Sequence, residues 1–200
     1  MKFEHFNSYE HQKEVSRNIK KQLENLGLTL SEIKGSVLDI GAGEALFEKE
    51  LEKITGAEIT SIDNFQNEDM SDNVVIADAR ELPFEDNTFD KVVSHASVPH
   101  IFIGMYSEDY SELSKAEMKK SISRTFRETL RVLKPGSRAI MAPVRIGDTY
   151  NSEKVLASVL GEVMKDIQEK ADVSFELIRE VEDPQNHERH KQYRLTLVKK

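Results

Sequence analysis

The chain has 200 residues, 38% of them hydrophobic and 32% charged, which fits one soluble domain with a substantial core. Its formal net charge of −8 argues against a broad phosphate-binding surface and so against a nucleic-acid substrate. Cysteine is absent, which excludes disulfides, cysteine-ligated zinc and cysteine nucleophiles.

Met1 to His5 opens no apolar signal segment, and no run approaches the ~18 apolar residues of a membrane span. The expectation is a cytoplasmic protein that enters no membrane. Val15, Ile19, Leu23 and Leu26 share one face of a helix from about Ser8 to Leu26, stopped by Gly27. Lys20 and Lys21 on that helix, and the Arg189 to Arg194 stretch, have acids close by (Glu24 and Glu188). They read as solvated surface.

Ser36 to Ile40 is a short buried-type strand, followed by the turn Gly41-Ala42-Gly43 and a helix from Leu46 to about Ile54 that Gly56 ends. Ala57 to Asp63 and Val74 to Asp78 are strands with an acid at the tip. Leu82-Pro83-Phe84 breaks regular structure, and Phe89 to Ser94 forms a fourth strand. A helix from about Ser114 to Leu133 leads through a compact Lys134-Pro135-Gly136 turn to a fifth strand, Arg138 to Pro143. Val155, Val159, Val163 and Ile167 mark another helix. Two strands, around Ser174 to Glu180 and Tyr193 to Val198, flank a polar loop beginning Asp183-Pro184.

Strands alternating with helices predict an α/β fold with a parallel sheet covered on both faces. The last strand–loop–strand has no helix between its strands, so an antiparallel C-terminal edge hairpin is expected. With no repeat or linker, residues 1–200 read as a single domain, with 1–35 as an N-terminal helical cap and 36–200 as the sheet-and-helix core.

The strand–glycine turn–helix at Val37 to Leu51 is expected to bring bare backbone N–H groups close to a nucleotide-like cofactor at the carboxyl edge of the sheet. Asp63 follows the turn by about 20 residues, the offset at which a carboxylate meets a ribose hydroxyl pair. A dinucleotide turn would need glycine where Leu46 stands, and the phosphate-grasping lysine of a P-loop is missing. Glu44 in the turn suits a cationic or zwitterionic cofactor better than a polyphosphate.

Val37 to Gly43, Asp63, Ala77 to Phe84, Phe89 to Ser94 and Glu128 to Gly136 resemble, in order, the class I S-adenosylmethionine-dependent methyltransferases, over about residues 36 to 143. The resemblance implies a Rossmann-like, doubly wound, mostly parallel seven-stranded sheet and S-adenosyl-L-methionine as cofactor. It assigns Asp39, Gly41 and Gly43 to the methionine part, Asp63 to the ribose, and Asp78 and Ala79 to the adenine. Ser94 and His95 would border the methionine moiety and the transferring methyl. Two positions depart from the family pattern: Ala45 replaces its third glycine, and His95 stands where many relatives have asparagine.

Methyl transfer from a sulfonium needs a base only when the attacking atom begins protonated. His95 and His100, both after the fourth strand, are the candidate bases, with packing or hydrogen bonding as the competing role for each. Ile101 to Tyr110 reads as a lid, a substrate wall or local core. Phe3, Phe6 and Tyr9 read as an N-terminal flap or as packing of the first helix. His187 and His190 stand three apart without a paired carboxylate and are expected to be solvated, so no metal site is predicted. Ser94 to Pro99 carries no Asn-Pro-Pro-Tyr-type motif, which again disfavours a nucleic-acid base or a protein glutamine as acceptor. A small-molecule acceptor is the leading expectation. A non-catalytic cofactor-binding or partner module is the alternative, and the oligomeric state stays open.

Overall fold

Val37, Leu38, Asp39 and Ile40 are all buried, so both faces of the first strand, β1 (Ser36–Ile40), must be covered. The computed structural model describes residues 17–43, 46–65, 74–102, 114–146, 151–182 and 189–200. Four further strands that follow are β2 (Glu58–Asp63), β3 (Val75–Ile76), β4 (Phe89–His95) and β5 (Leu133–Arg145), with β6 (Ala171–Glu182) and β7 (Arg189–Lys199) completing the set. They form one seven-stranded sheet in the order β3-β2-β1-β4-β5-β7-β6. β1 to β5 run parallel, and β7 lies antiparallel between β5 and β6.

Side-chain alternation assigns each face its helices. Val37, Ile59, Val93 and Ile140 join Ile19, Leu23 and Leu26 of α1 (Arg17–Leu26) and Leu51 of α2 (Leu46–Thr55). On the other face, Leu38, Ile40, Val92 and Met141 pack with Phe126 of α3 (Lys115–Val132) and Val159 and Val163 of α4 (Asn151–Ile167). Helix starts and stops follow local chemistry. Ser114 caps α3 by accepting from Glu117 N–H, and Glu117 reaches back to Ser114 N–H at 2.8 Å. Gly56, at φ +69°, stops α2.

The expected α/β alternation and the antiparallel C-terminal pair are both present, and three local expectations change. The third strand pairs only over Val75–Ile76, because the chain leaves the sheet after Ala77 N–H donates to Asp63 O. Lys134-Pro135-Gly136 does not stand outside the fifth strand. Leu133 already pairs with Phe89 and pairing resumes at Lys91↔Arg138, so residues 134–137 loop out within β5, with Gly136 at φ +76°. Asp90 pins this bulge by accepting from Lys134 Nζ at 2.8 Å and from Ser36 N–H at 3.0 Å. β6 and β7 run longer than the hydrophobic pattern indicated. The start of the first helix, the Phe3–Tyr9 flap, most of the Ile101–Tyr110 lid and His187 lie outside the described residues.

Phe126 is fully buried between α3 and the sheet. Phe126→Ala is expected to lower the unfolding free energy by about 3–5 kcal/mol, read as a shift of the urea midpoint.

Candidate functional site

From β1 the chain winds outward to β2 and β3, then returns to β4 on β1's other side. The crevice outside the carboxyl ends of β1 and β4 is therefore the topological switch point, where ligands bind in open α/β sheets. The glycine turn, Asp63, Asp78, Ser94 and His95 all come from strand ends on this edge.

The turn itself differs from the expected cradle of bare donors. Gly41 N–H and Ala42 N–H both donate to Ile62 O, at 2.9 and 3.1 Å, and Gly43 N–H donates to Asp63 Oδ2 at 3.0 Å. The backbone donors are used to tie the turn to the end of β2. Gly41 has φ +76°, and a Cβ there would collide with Cβ and Oγ of the buried Ser97. Gly43 has φ +57°, yet a Cβ would meet nothing within 4 Å. The space over Gly43 is open.

A small cleft of about 80 Å³ opens beside the turn. Ile40, Asp63, Asp78, Ala79, Ser97 and Phe102 are among its walls. Asp63 accepts from Gly43 N–H on one oxygen and from Phe65 N–H on the other, which orients the carboxylate and leaves lone pairs for further donors. Asp78 is gripped by Arg80, whose guanidinium donates to both carboxylate oxygens at 2.6–3.0 Å. That pairing holds the Asp78 carboxyl below the usual range. Arg80 also lies over the Phe102 ring, 5.9 Å from its centroid. Behind this wall, α3 fastens the loop: Arg131 donates to Leu82 O and Phe84 O, while Glu128 accepts from Leu82 N–H.

Under the turn lies a buried acidic cluster. Asp39 is 5% exposed and its carboxyl is pushed up to about 7, chiefly by burial and then by the charges of Glu48 and Asp63. Glu48 stands one helical turn before Leu51, which turns it onto the sheet side of α2, where it is 4% exposed. Its Oε2 has no hydrogen-bond partner among the described residues, and neither does Oγ of Ser61, the register partner of Asp39.

Around the end of β4 the polar groups are largely engaged. Fully buried Ser94 donates to Ile40 O at 2.9 Å and accepts from Val98 N–H at 3.0 Å, which joins β4 to β1 and shapes the following turn. Half-buried His95 has Nε2 2.9 Å from the buried Asn25 amide nitrogen of α1, and burial pulls its pKa down to about 4, helped by Lys21 and Arg179. His100 Nε2 accepts from Arg145 N–H at 3.1 Å and sits 3.1 Å from Pro143 O. Its pKa also falls to about 4, mainly through burial, and Nδ1 is buried without a partner among the described residues. His190 is not solvated as expected: it is buried, with Nδ1 3.2 Å from Glu153 Oε1. Among the described residues, no group of three or more metal-ligating side chains is present.

The profile of the family described as "Methyltransferase domain" matches residues 38–141, from β1 to β5. The chain belongs to this methyltransferase-domain family. No curated protein matches the sequence. The methyltransferase domain is similar in fold to a SAM-dependent methyltransferase from Methanosarcina mazei, at 16% identity over 92% of this chain and 98% of that one, with a TM-score of 0.55. A SAM-dependent methyltransferase from Aquifex aeolicus matches at 18% identity over 98% and 100%, with a TM-score of 0.52. Phosphoethanolamine N-methyltransferase 2 of Haemonchus contortus, solved with S-adenosyl-L-methionine, matches at 17% identity and a TM-score of 0.56, over 91% of this chain and 52% of that protein.

The methyltransferase domain's own groups suit a cationic ligand. Buried oxygens on Glu48 and Ser61 lack donors among the described residues, and the N–H groups of Gly41, Ala42 and Gly43 are all bonded within the protein. Glu48, Arg80 and Ser97 were not singled out by motif. For Glu48 the usable signal was a carboxylate on the same helical face as Leu51.

Two outcomes follow from this geometry. Gly41→Ala should abolish ligand binding or unfold the domain, whereas Gly43→Ala, strained in φ but unobstructed at Cβ, should cost about 1–2 kcal/mol; thermal melts of both variants check this. Asp39 has a higher pKa folded than the ~4 of an unfolded aspartate, so its contribution to stability is lost as pH rises from about 4 through about 7. Asp39→Asn should therefore raise the melting temperature of the ligand-free protein more at pH ~8 than at pH ~5.

Proposed function

We propose that this protein transfers a methyl group from S-adenosylmethionine to a small-molecule acceptor. The carrying observation is the acidic, partly orphaned cluster of Asp39, Glu48 and Ser61 beside Asp63, within the span matched to the methyltransferase family. Asp63 would hold the ribose hydroxyl pair on its remaining lone pairs. Asp78 and Ala79 would meet the adenine, with Phe102 as an apolar wall, and Gly41 and Gly43 would shape the floor under the methionine part. When bound, the cofactor supplies an electrophilic methyl on a sulfonium sulfur, and the chain's task is to align the acceptor and exclude water.

His95 stands nearest the acceptor in this reading. Its depressed pKa keeps the ring neutral at neutral pH, and to accept a proton from an acceptor group Nε2 would have to give up the hydrogen bond from the Asn25 amide. His100 would act at one remove by holding the Pro143–Arg145 end of β5, and Ser94 by joining β4 to β1. The net charge of −8 and the small-molecule name of the Haemonchus contortus neighbour both support a small acceptor over a nucleic acid. A cofactor-binding module without turnover is the second reading, favoured by the engagement of both histidines in structural hydrogen bonds.

Isothermal titration with S-adenosylhomocysteine is expected to give a micromolar dissociation constant that weakens at least about tenfold in Asp63→Ala. Absence of binding by the wild-type protein would sink the cofactor assignment. Consumption of S-adenosylmethionine with amine, thiol or hydroxyl acceptors separates the enzyme from the module.

A further inference from the structure

Asp39, Ser61 and Glu48 meet by construction of the fold. Asp39 and Ser61 are register partners on the parallel strands β1 and β2, so their side chains leave the sheet on the same face. That face is the one that holds Val37 and Ile59 against Leu51 of α2, and Glu48 is the residue one turn earlier on the same side of α2. Asp39 and Glu48 are 5% and 4% exposed, and Ser61 is fully buried. The charged groups acting on Asp39 are both acids, Glu48 from α2 and Asp63 from β2, and β4 offers Val93 at the matching register position. On the same face β4 carries His95 two residues beyond Val93, with the charges of Lys21 and Arg179 acting on it rather than on Asp39.

Two buried carboxylates cannot both ionise cheaply with no cation beside them. A buried carboxylate oxygen on Glu48 and a buried hydroxyl on Ser61, each without a partner among the described residues, are each costly as they stand. We infer that Asp39, buried beside Glu48, retains a proton in the ligand-free protein and releases it to solvent when the ammonium-bearing end of the cofactor enters beside Ser61. The exchange balances in charge: one carboxylic acid loses H⁺ to bulk water, and the cofactor's ammonium replaces that positive charge next to the carboxylate. Ser61 Oγ can then accept from the ammonium or donate to the freed carboxylate. Glu48 thereby becomes a positioning residue for the cofactor. This rests on the S-adenosylmethionine reading of the same site and adds a linkage between cofactor affinity and pH.

The test is titration calorimetry with S-adenosylhomocysteine at pH ~7 in phosphate and in Tris, whose ionisation enthalpies differ. The wild-type protein should release about half a proton per ligand bound, and its affinity should rise about tenfold from pH ~6 to ~8. Glu48→Gln should bind with almost no buffer dependence and a flattened pH profile. Asp39→Asn should do the same, and it serves if Glu48→Gln fails to fold. Heats independent of buffer in the wild type, or a proton count in both variants equal to that of the wild type, would overturn the acid-pair inference while leaving the cofactor assignment standing. No binding at all in the wild type would overturn both.

Discussion

The hydrogen bonds from Gly41 and Ala42 to Ile62 O, and from Gly43 to Asp63, are the constraint on which the site depends. They extend the parallel pairing of β1 and β2 past the end of the strands and hold the turn against its neighbour. Gly41 can make this approach because it has no side chain to meet Ser97. The same bonds occupy the N–H donors of Gly41, Ala42 and Gly43. Toward the cleft stand the carboxylates of Asp63 and Asp78 and the guanidinium of Arg80, while Asp39, Glu48 and Ser61 lie buried beneath the turn.

The rest of the crevice is built to hold that edge still. Ser94 ties β4 to β1 and caps the turn that brings Ser97 and Phe102 to the cleft. Arg80 clamps Asp78, and Arg131 with Glu128 fastens the following loop to α3 through bonds partly sheltered from solvent. Charge-assisted bonds of this kind are stronger than neutral ones, and each loop carbonyl they satisfy is one the missing sheet pairing leaves open. His95 and His100 are likewise tied, one to α1 and one to β5, so the end of β4 is more rigid than a pair of free histidines would make it.

Much of the fold was legible in the sequence because period-2 burial and glycine stops are strong local signals. β1, α2 and β2 came out nearly residue for residue, since Gly41 and Gly56 mark their ends. β5 was misread at Lys134-Pro135-Gly136 because a looped-out segment that re-enters the strand depends on Asp90 from a neighbouring strand, and no local pattern carries that. The extra length of β6 and β7 comes from pairing with each other beyond the sheet body, where many β6 residues are exposed and hydrophobic alternation fades. At the site, Asp63 and Asp78 were visible as strand-tip acids. The Arg80 clamp and the burial of Glu48 were not, because both depend on which way a side chain turns after folding. His190 looked like a surface residue for the same reason, and its partner Glu153 lies 37 positions away.

The central claim is that this carboxyl edge receives S-adenosylmethionine with its cationic end over the glycine turn. A crystal structure with S-adenosylhomocysteine bound tests it most directly. The account predicts the ribose against Asp63, the adenine between Asp78, Ala79 and Phe102, and the ammonium within hydrogen-bonding reach of the Asp39–Glu48–Ser61 cluster. A ligand bound elsewhere, or one whose carboxylate rather than ammonium faces those acids, would contradict it.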